Sequence, residues 1–292
     1  MSHNIYTMHD SVIKTTDGGE VFAYEYIDKT RRKRSDKRII AQRGCQEKFL
    51  ATSADITIFG GNRGGSKSFS LLMETLKDIT NSHFNSILLR NERDDLQDLV
   101  NTSYQLYSQF GTYNRSINDM TWNFYNGGKL KFSYYAGGYE DFETRFRGRQ
   151  YSYIGIDEIT QIAYKKFKFL VTCNRNAYGI RNRFYGTCNP DPDSWVRKFI
   201  DWWIDEDGLP IPERDGVVRY CFMDGDTPDE IYWGATPEEV YAQCKDRDEE
   251  SHEERRDPES KCSLDVGDVR HRDVDADIAL ASVVAVVDRN VG

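Results

Sequence analysis

Two kinds of covalent or metal framework are missing from this sequence. Six cysteines are spread over 292 residues, and no two of them form a Cys-x-x-Cys pair. That spacing excludes a disulfide scaffold and a zinc ribbon, and the expectation is reduced thiols inside a cell. Long apolar runs are also absent. The longest, Ala276 to Val287, is too short to cross a bilayer, and no signal-peptide pattern opens the chain. A soluble, intracellular protein is expected. Positive charge is in deficit, with a net charge of −9. This argues against a surface coated for nucleic acid, although a local basic face stays possible.

Aromatic residues make up 13% of the chain but none falls within 246–292. Asp248 to Pro258 is almost entirely charged, which is a signature of disorder. The acidic tract around Asp265, Asp268, Asp273, Asp275 and Asp277 could mimic a metal site, but nothing apolar frames it before Ile278. The break in composition looks like a frameshift, an alternative reading frame or an artificial end. On this reading the tail buries little apolar area, and its removal leaves stability nearly unchanged.

What the chain does contain is a glycine-rich loop in a telling place. Gly60, Gly61, Asn62, Arg63, Gly64, Gly65, Ser66, Lys67 and Ser68 follow the apolar run Ile56 to Phe59. Behind them, Phe69, Leu72, Met73 and Leu76 repeat at helical spacing. Strand, Gly-rich loop, Lys-Ser and helix make the layout of a P-loop. Glycines let successive backbone N–H groups converge on a phosphate, and the helix N-terminus adds partial positive charge. Lys67 would reach the β- and γ-phosphates of ATP, and the Ser68 hydroxyl would ligate Mg²⁺. Ser66 stands where a glycine usually precedes the lysine. Further on, Tyr151 to Ile156 reads as a buried strand that runs into Asp157 and Glu158. After a P-loop, such a pair suits a metal ligand (Asp157) and a base that orients and deprotonates water (Glu158).

Between these motifs, the pattern alternates strands and helices, which implies an α/β fold with a mainly parallel central sheet. Val21 to Tyr26 reads as a strand. Lys29 to Arg43 carries eight basic residues and is either a basic arm that touches DNA phosphates or a solvated linker. Arg43 to Leu50 reads as a short helix, and Gln46 on it could meet an adenine edge, since its amide both donates and accepts. Ser86 to Leu89 is a core strand, followed by Arg90 and a polar helix over Asp94–Gln109. Trp122 to Phe132 is an inserted β-hairpin with an Asn-Gly turn at Asn126 and Gly127. Arg145, Arg147 and Arg149 crowd the loop before the Asp-Glu strand, where a solvated turn is the safer expectation. Arg183 to Cys188 is another strand, broken by Asn189 and Pro190. A helix is expected over Ser194–Ile204, with Trp195, Phe199 and Trp202 facing the core. The division expected is an N-terminal segment at 1–43, a P-loop domain at 44–245 and the tail at 246–292.

This combination resembles the ATPase domain of the large terminase subunit, the DNA-packaging motor of tailed bacteriophages. Gly44-Cys45-Gln46, the Asn62–Ser68 loop, Gly148 through Asp157-Glu158, and Thr187-Cys188-Asn189-Pro190 carry the likeness, over roughly residues 40–240. Asn118 to Trp122 and the Gly127–Phe132 hairpin add to it. The resemblance implies a P-loop NTPase fold and an Mg²⁺-dependent ATPase that drives duplex DNA into a procapsid. It implies ATP-binding roles for Gln46, Gly61, Asn62, Gly64, Gly65, Ser66, Lys67 and Ser68. Arg63 would be a catalytic finger on the γ-phosphate and Glu158 the catalytic base, with Ser68 and Asp157 on the metal. Thr187 and Asn189 match the motif that couples loss of the γ-phosphate to DNA movement. Implied partners are double-stranded DNA, the portal protein, a small terminase subunit and further copies in a ring, within the host cytoplasm and away from membranes. The nuclease domain that usually follows in this family has no match here, so DNA cutting is not assigned. A helicase-like P-loop ATPase on duplex DNA and an inactive, truncated nucleotide-binding protein are the alternatives.

Overall fold

β-Branched and aromatic runs build one large sheet around the glycine-rich loop. The computed structural model describes residues 6–14, 20–28, 33–61, 66–116, 119–189, 191–244 and 281–287. At the start, β1 (Tyr6–Lys14), β2 (Glu20–Asp28) and β3 (Lys33–Ile40) form a separate antiparallel sheet. The stretch read from its charge as an arm or linker is therefore, over Lys33–Ile40, a strand paired with β2.

The chain then enters the main body through α1 (Cys45–Ala51), β4 (Ile56–Gly60), α2 (Lys67–Thr75), β5 (Asn85–Arg90) and α3 (Leu96–Tyr107). Strands β6 (Gly111–Asn114), β7 (Thr121–Phe124) and β8 (Lys129–Tyr134) make the inserted hairpin region. Its turn needs Gly127, whose φ of 102° side chains rarely adopt. Helix α4 (Tyr139–Phe146), β9 (Tyr153–Ile156), α5 (Tyr164–Cys173), β10 (Arg183–Cys188) and α6 (Trp195–Phe199) follow. The last strands are β11 (Arg219–Met223), β12 (Ile231–Gly234) and β13 (Ala281–Val287).

The main sheet has ten strands in the order β12-β11-β13-β4-β10-β9-β5-β8-β7-β6. From β13 to β8 every neighbouring pair is parallel, and antiparallel strands close both edges. This is the α/β, mainly parallel P-loop architecture that the sequence pattern predicts. Alternating side chains feed two apolar layers, one on each face. Leu88 on β5 joins Phe49, Leu72 and Leu99 from α1, α2 and α3 on one side. Ile87 and Leu89 join Phe142, Phe167 and Phe199 from α4, α5 and α6 on the other.

Two expectations are corrected here. The helix predicted over Ser194–Ile204 is shorter, because after Phe199 the backbone tightens into a 3-10 turn over Asp201–Trp203. The tighter turn carries Trp203 fully into the core, where it is 1% exposed, while Trp202 packs against that core partly buried. The tail holds the second. Ala281–Val287 lies inside the sheet, parallel to β4 and antiparallel to β11, with Val283, Val284, Ala285 and Val286 all buried. A continuous β-branched run suits a strand covered on both faces. At its start, Ser282 Oγ donates to Asp55 Oδ2 at 2.7 Å and accepts from Asp55 N at 2.9 Å. The acidic tract over 265–277 lies outside the described residues.

Candidate active site

In a parallel sheet the carboxyl ends of the strands open onto one edge, and ligands bind there. Strands β4, β9 and β10 end side by side at that edge, so Gly60, Asp157 and Asn189 are brought together from distant parts of the chain. Gly186 on β10 permits this closeness. A Cβ there would fall 2.6 Å from Ile159 Cδ1, so only glycine lets the turn after Glu158 settle against β10.

The centre of the site is Asp157, which is 2% exposed. Ser68 Oγ lies 2.9 Å from both of its carboxylate oxygens, and Thr187 Oγ1 donates to Oδ1 at 2.6 Å. Arg90, at the end of β5, places Nε 2.8 Å from Asp157 Oδ2 and Nη2 3.6 Å from Glu158 Oε1. A buried carboxylate needs this much compensation, because an unpaired charge away from water is costly. Arg90 is the residue that sequence reasoning missed. The available signal was a charged residue at the end of a core strand destined to lie beside the Asp-Glu strand.

Glu158 sits in a left-handed conformation, with φ 59° and ψ 56°. Its carbonyl accepts from Tyr135 OH at 3.1 Å, its N–H donates to Thr187 Oγ1 at 3.4 Å, and Gln161 Nε2 holds its carboxylate at 2.5 Å. Burial, then the nearby Glu158 and Asp157 charges, keep the Tyr135 phenol protonated, so it remains a donor. The strained backbone turns Glu158 back over the strand ends, as outliers at functional sites commonly do.

On the P-loop side, Lys67 begins α2 and its ammonium donates to the Gly61 carbonyl at 2.8 Å. Ser66 precedes it in the left-handed region, at φ 53°. There a glycine would cost nothing, and a residue with a Cβ costs roughly 1 kcal/mol. The departure from glycine noted in the sequence thus falls at a position whose backbone favours glycine. Ser66 Oγ donates to Gln42 Oε1 at 3.1 Å and accepts from Gln46 Nε2 at 3.3 Å. Gln46 is 4% exposed and also donates to Ser70 Oγ at 3.0 Å, while its Oε1 accepts from Gln42 N at 2.7 Å. Because a backbone N–H can only donate, this last bond fixes which way the Gln46 amide points. Asn62, Arg63, Gly64 and Gly65, all predicted phosphate or catalytic groups, lie outside the described residues, as does Pro190.

Asn189 follows β10 and is partly buried, and its Oδ1 has no hydrogen-bond partner among the described residues. It shares a cavity of about 220 Å³ with Gly60, Gly61 and Cys188. Thr187, two residues earlier, contacts Asp157 and the Glu158 N–H rather than Asn189. The arrangement joins the start of α2, a hydroxyl and carboxylate 2.9 Å apart, and a second carboxylate bridged to the first by Arg90. Among the described residues, no group of three or more His, Cys, Asp or Glu could hold a metal unaided. Hard oxygen donors such as Ser68 and Asp157 fit Mg²⁺, which is usually bound through one or two protein ligands together with substrate phosphates. No helix among the described residues is long and apolar enough to cross a membrane.

Residues 57–263 match the family model for the terminase large subunit, T4-like-virus type, N-terminal part. The match covers over two thirds of the chain and continues past residue 245, where the composition changes. No curated protein sequence matches. Among solved structures, the large terminase of a thermophilic bacteriophage is similar at 17% identity, over 57% of this chain and 44% of that one, with a TM-score of 0.44. The large terminase ATPase domain of Thermus phage P74-26 matches at 13% identity over 59% and 74%, TM-score 0.43. The HK97 bacteriophage large terminase matches at 11% identity over 53% and 35%, TM-score 0.41. The matched part thus spans less than half the length of the first and third of these proteins.

Proposed function

The chain belongs to the terminase large subunit family, and on that premise we propose that it is an ATP-hydrolysing motor subunit that drives duplex DNA into a viral procapsid. The observation that carries this reading is the set of contacts around Asp157. A P-loop hydroxyl, a coupling-strand hydroxyl and an arginine all meet one buried carboxylate at the sheet edge.

In this reading the P-loop amides, with Gly61, Gly64, Gly65 and Ser66, cradle the phosphates, and Lys67 leaves the Gly61 carbonyl to reach the β- and γ-phosphates. Asn62 lies on the same loop, and Arg63 places a guanidinium on the γ-phosphate. Gln46 takes the adenine edge by exchanging its bonds to Ser66 and Ser70. Ser68 and Asp157 hold Mg²⁺, which when bound neutralises charge on the phosphate oxygens. Glu158 orients the attacking water and removes its proton. Thr187 touches Asp157 directly, so a shift of that carboxylate on phosphate release passes into β10. Asn189 registers the γ-phosphate by donating from its Nδ2, or the attacking water through its Oδ1, which no described residue satisfies. Double-stranded DNA, a portal protein, a small subunit and further copies of the chain are the partners, in the host cytoplasm.

The test is packaging itself. Supplied with empty procapsids, duplex DNA and ATP, the protein should render the DNA resistant to DNase, and a non-hydrolysable ATP analogue should not support this. Hydrolysis without any protected DNA would leave an ATPase but remove the motor role.

A further inference from the structure

A sizeable cavity among the described residues lies away from the P-loop. It measures about 710 Å³ and is lined by Arg93, Tyr104, Tyr113 and Arg115, with Asp94 and Gln97 at its rim. A second hollow of about 210 Å³ adjoins it, sharing Arg93 and Met120, and adds Lys131, Tyr134, Arg145 and Arg149. Together they make one groove beside β8, with five cationic side chains and one lining carboxylate, Asp94.

How these cations are held is the informative part. Arg93 Nη2 donates to Tyr134 OH at 3.3 Å, and Arg145 Nη1 donates to the Tyr134 carbonyl at 2.6 Å. Both guanidiniums also lie over the Tyr134 ring, at 5.1 and 4.1 Å. Arg115 Nε donates to Tyr104 OH at 3.1 Å. These partners are neutral, so they orient the guanidiniums without cancelling their charge. Among the described residues, none of the five groove cations forms an ion pair with a carboxylate. Several basic side chains elsewhere are neutralised, although Arg181 and Lys168 also bond to carbonyls alone. Lys48, Arg90, Arg147, Arg183, Arg197 and Lys198 each meet a carboxylate. In a chain of net charge −9, leaving five cations unneutralised along one groove runs against the composition. Burial and the Arg145 charge together hold Lys166 below the ordinary lysine pKa, consistent with positive potential at this edge.

We propose that this groove binds the phosphate backbone of duplex DNA. Fixed guanidiniums with free N–H groups match phosphate oxygens. The Tyr104 and Tyr134 rings already carry arginines, so these faces favour phosphate contacts over base stacking. Arg93 lies three residues beyond Arg90, on the segment that leaves β5, so the groove and the Asp157–Glu158 pair hang from one strand end. Arg145 and Arg149, expected from sequence to sit on a solvated turn, line the groove, whereas Arg147 pairs with Glu143 at 3.0 Å. The choice of duplex DNA as occupant rests on the motor reading.

Arg115 and Arg149 are exposed, so changing them leaves the core intact. The experiment is fluorescence anisotropy of a labelled duplex with the full chain, without nucleotide, across a salt series. R115A/R149A should weaken binding at least about tenfold and lower the slope of log K against log salt by about 2, roughly one per lost phosphate contact. Lys48→Ala and Lys198→Ala should leave the slope unchanged. A parental slope in R115A/R149A, an equal drop in the two lysine variants, no duplex binding by the parent chain, or preference for single strands would each overturn the proposal. ATP hydrolysis measured on the same samples separates the outcomes. Parental hydrolysis with an unaltered slope removes the groove alone, and absent hydrolysis in the parent removes the motor reading.

Discussion

Ending the chain at Leu280 would delete β13 and expose one flank of the strand that feeds the P-loop. Val283, Val284 and Val286 are each 2% exposed or less, and Ala285 is 1% exposed. Each fully buried valine contributes about 1.5–3 kcal/mol, so the three amount to roughly 5–9 kcal/mol. The denatured chain already hides part of that surface, which trims the figure to about 3–7 kcal/mol. The loss also opens Ile56, Ile58 and Phe59 on β4 and leaves Asp55 without its three bonds to Ser282. Against a total stability on the order of 5–15 kcal/mol, this is a large fraction. For a domain of this size each kcal/mol shifts the melting temperature by about 2–4 °C, so a fall of roughly 10–20 °C is expected. Circular dichroism melts of the parent and the shortened chain measure it. Melting within about 2 °C of the parent would refute the placement of β13 and restore the reading drawn from composition.

Three further outcomes are expected. Arg183→Met should cost up to about 3 kcal/mol in a urea melt, because the wholly buried Glu74 loses one of its two counter-charges, each 2.8 Å away, and keeps Lys77. Burial alone would lower the Arg183 pKa, but Glu74 and Asp78 outweigh it and keep the group charged. Burial pushes the Cys188 and Cys221 thiols up to about 12. A raised thiol pKa means less thiolate at a given pH, so at pH 8 both should resist iodoacetamide while the partly exposed Cys45 reacts, as residue-resolved mass spectrometry would report. Asn189→Ala should bind ATP almost normally yet lose hydrolysis or DNA translocation. Packaging at the parental rate would reduce Asn189 to a turn residue.

The parts legible in the sequence were those written in adjacent residues. Ile56 to Phe59, the glycines and the helical repeat of Leu72, Met73 and Leu76 announce β4, the loop and α2, because the chain itself holds them in order. Asp157 and Glu158 are equally local, since a buried run ends on them. Arg90 was hidden for the opposite reason. Nothing beside it in sequence says that β5 pairs with β9 and delivers its guanidinium to Asp157. The bond between Asp55 and Ser282 joins residues 227 positions apart, and no local pattern encodes it. The Ala281–Val287 strand was misread because a window of charged residues before it dominated the composition. Trp202 fits a helical repeat, but the repeat cannot show that the backbone tightens after Phe199. The placement of Arg145 and Arg149 in a groove likewise depends on tertiary packing, whereas the Arg147–Glu143 pair is a local contact four residues apart.

The central claim is that Lys67 and Glu158 serve one nucleotide site in different steps, and separate measurement of ATP binding and ATP turnover tests it most directly. Lys67→Ala should abolish both, because the phosphates lose their counter-charge. Glu158→Gln keeps the shape of the site and removes the base, so it should bind ATP as the parent does and hydrolyse it at least about a hundredfold more slowly. Near-parental turnover by Glu158→Gln would contradict the account.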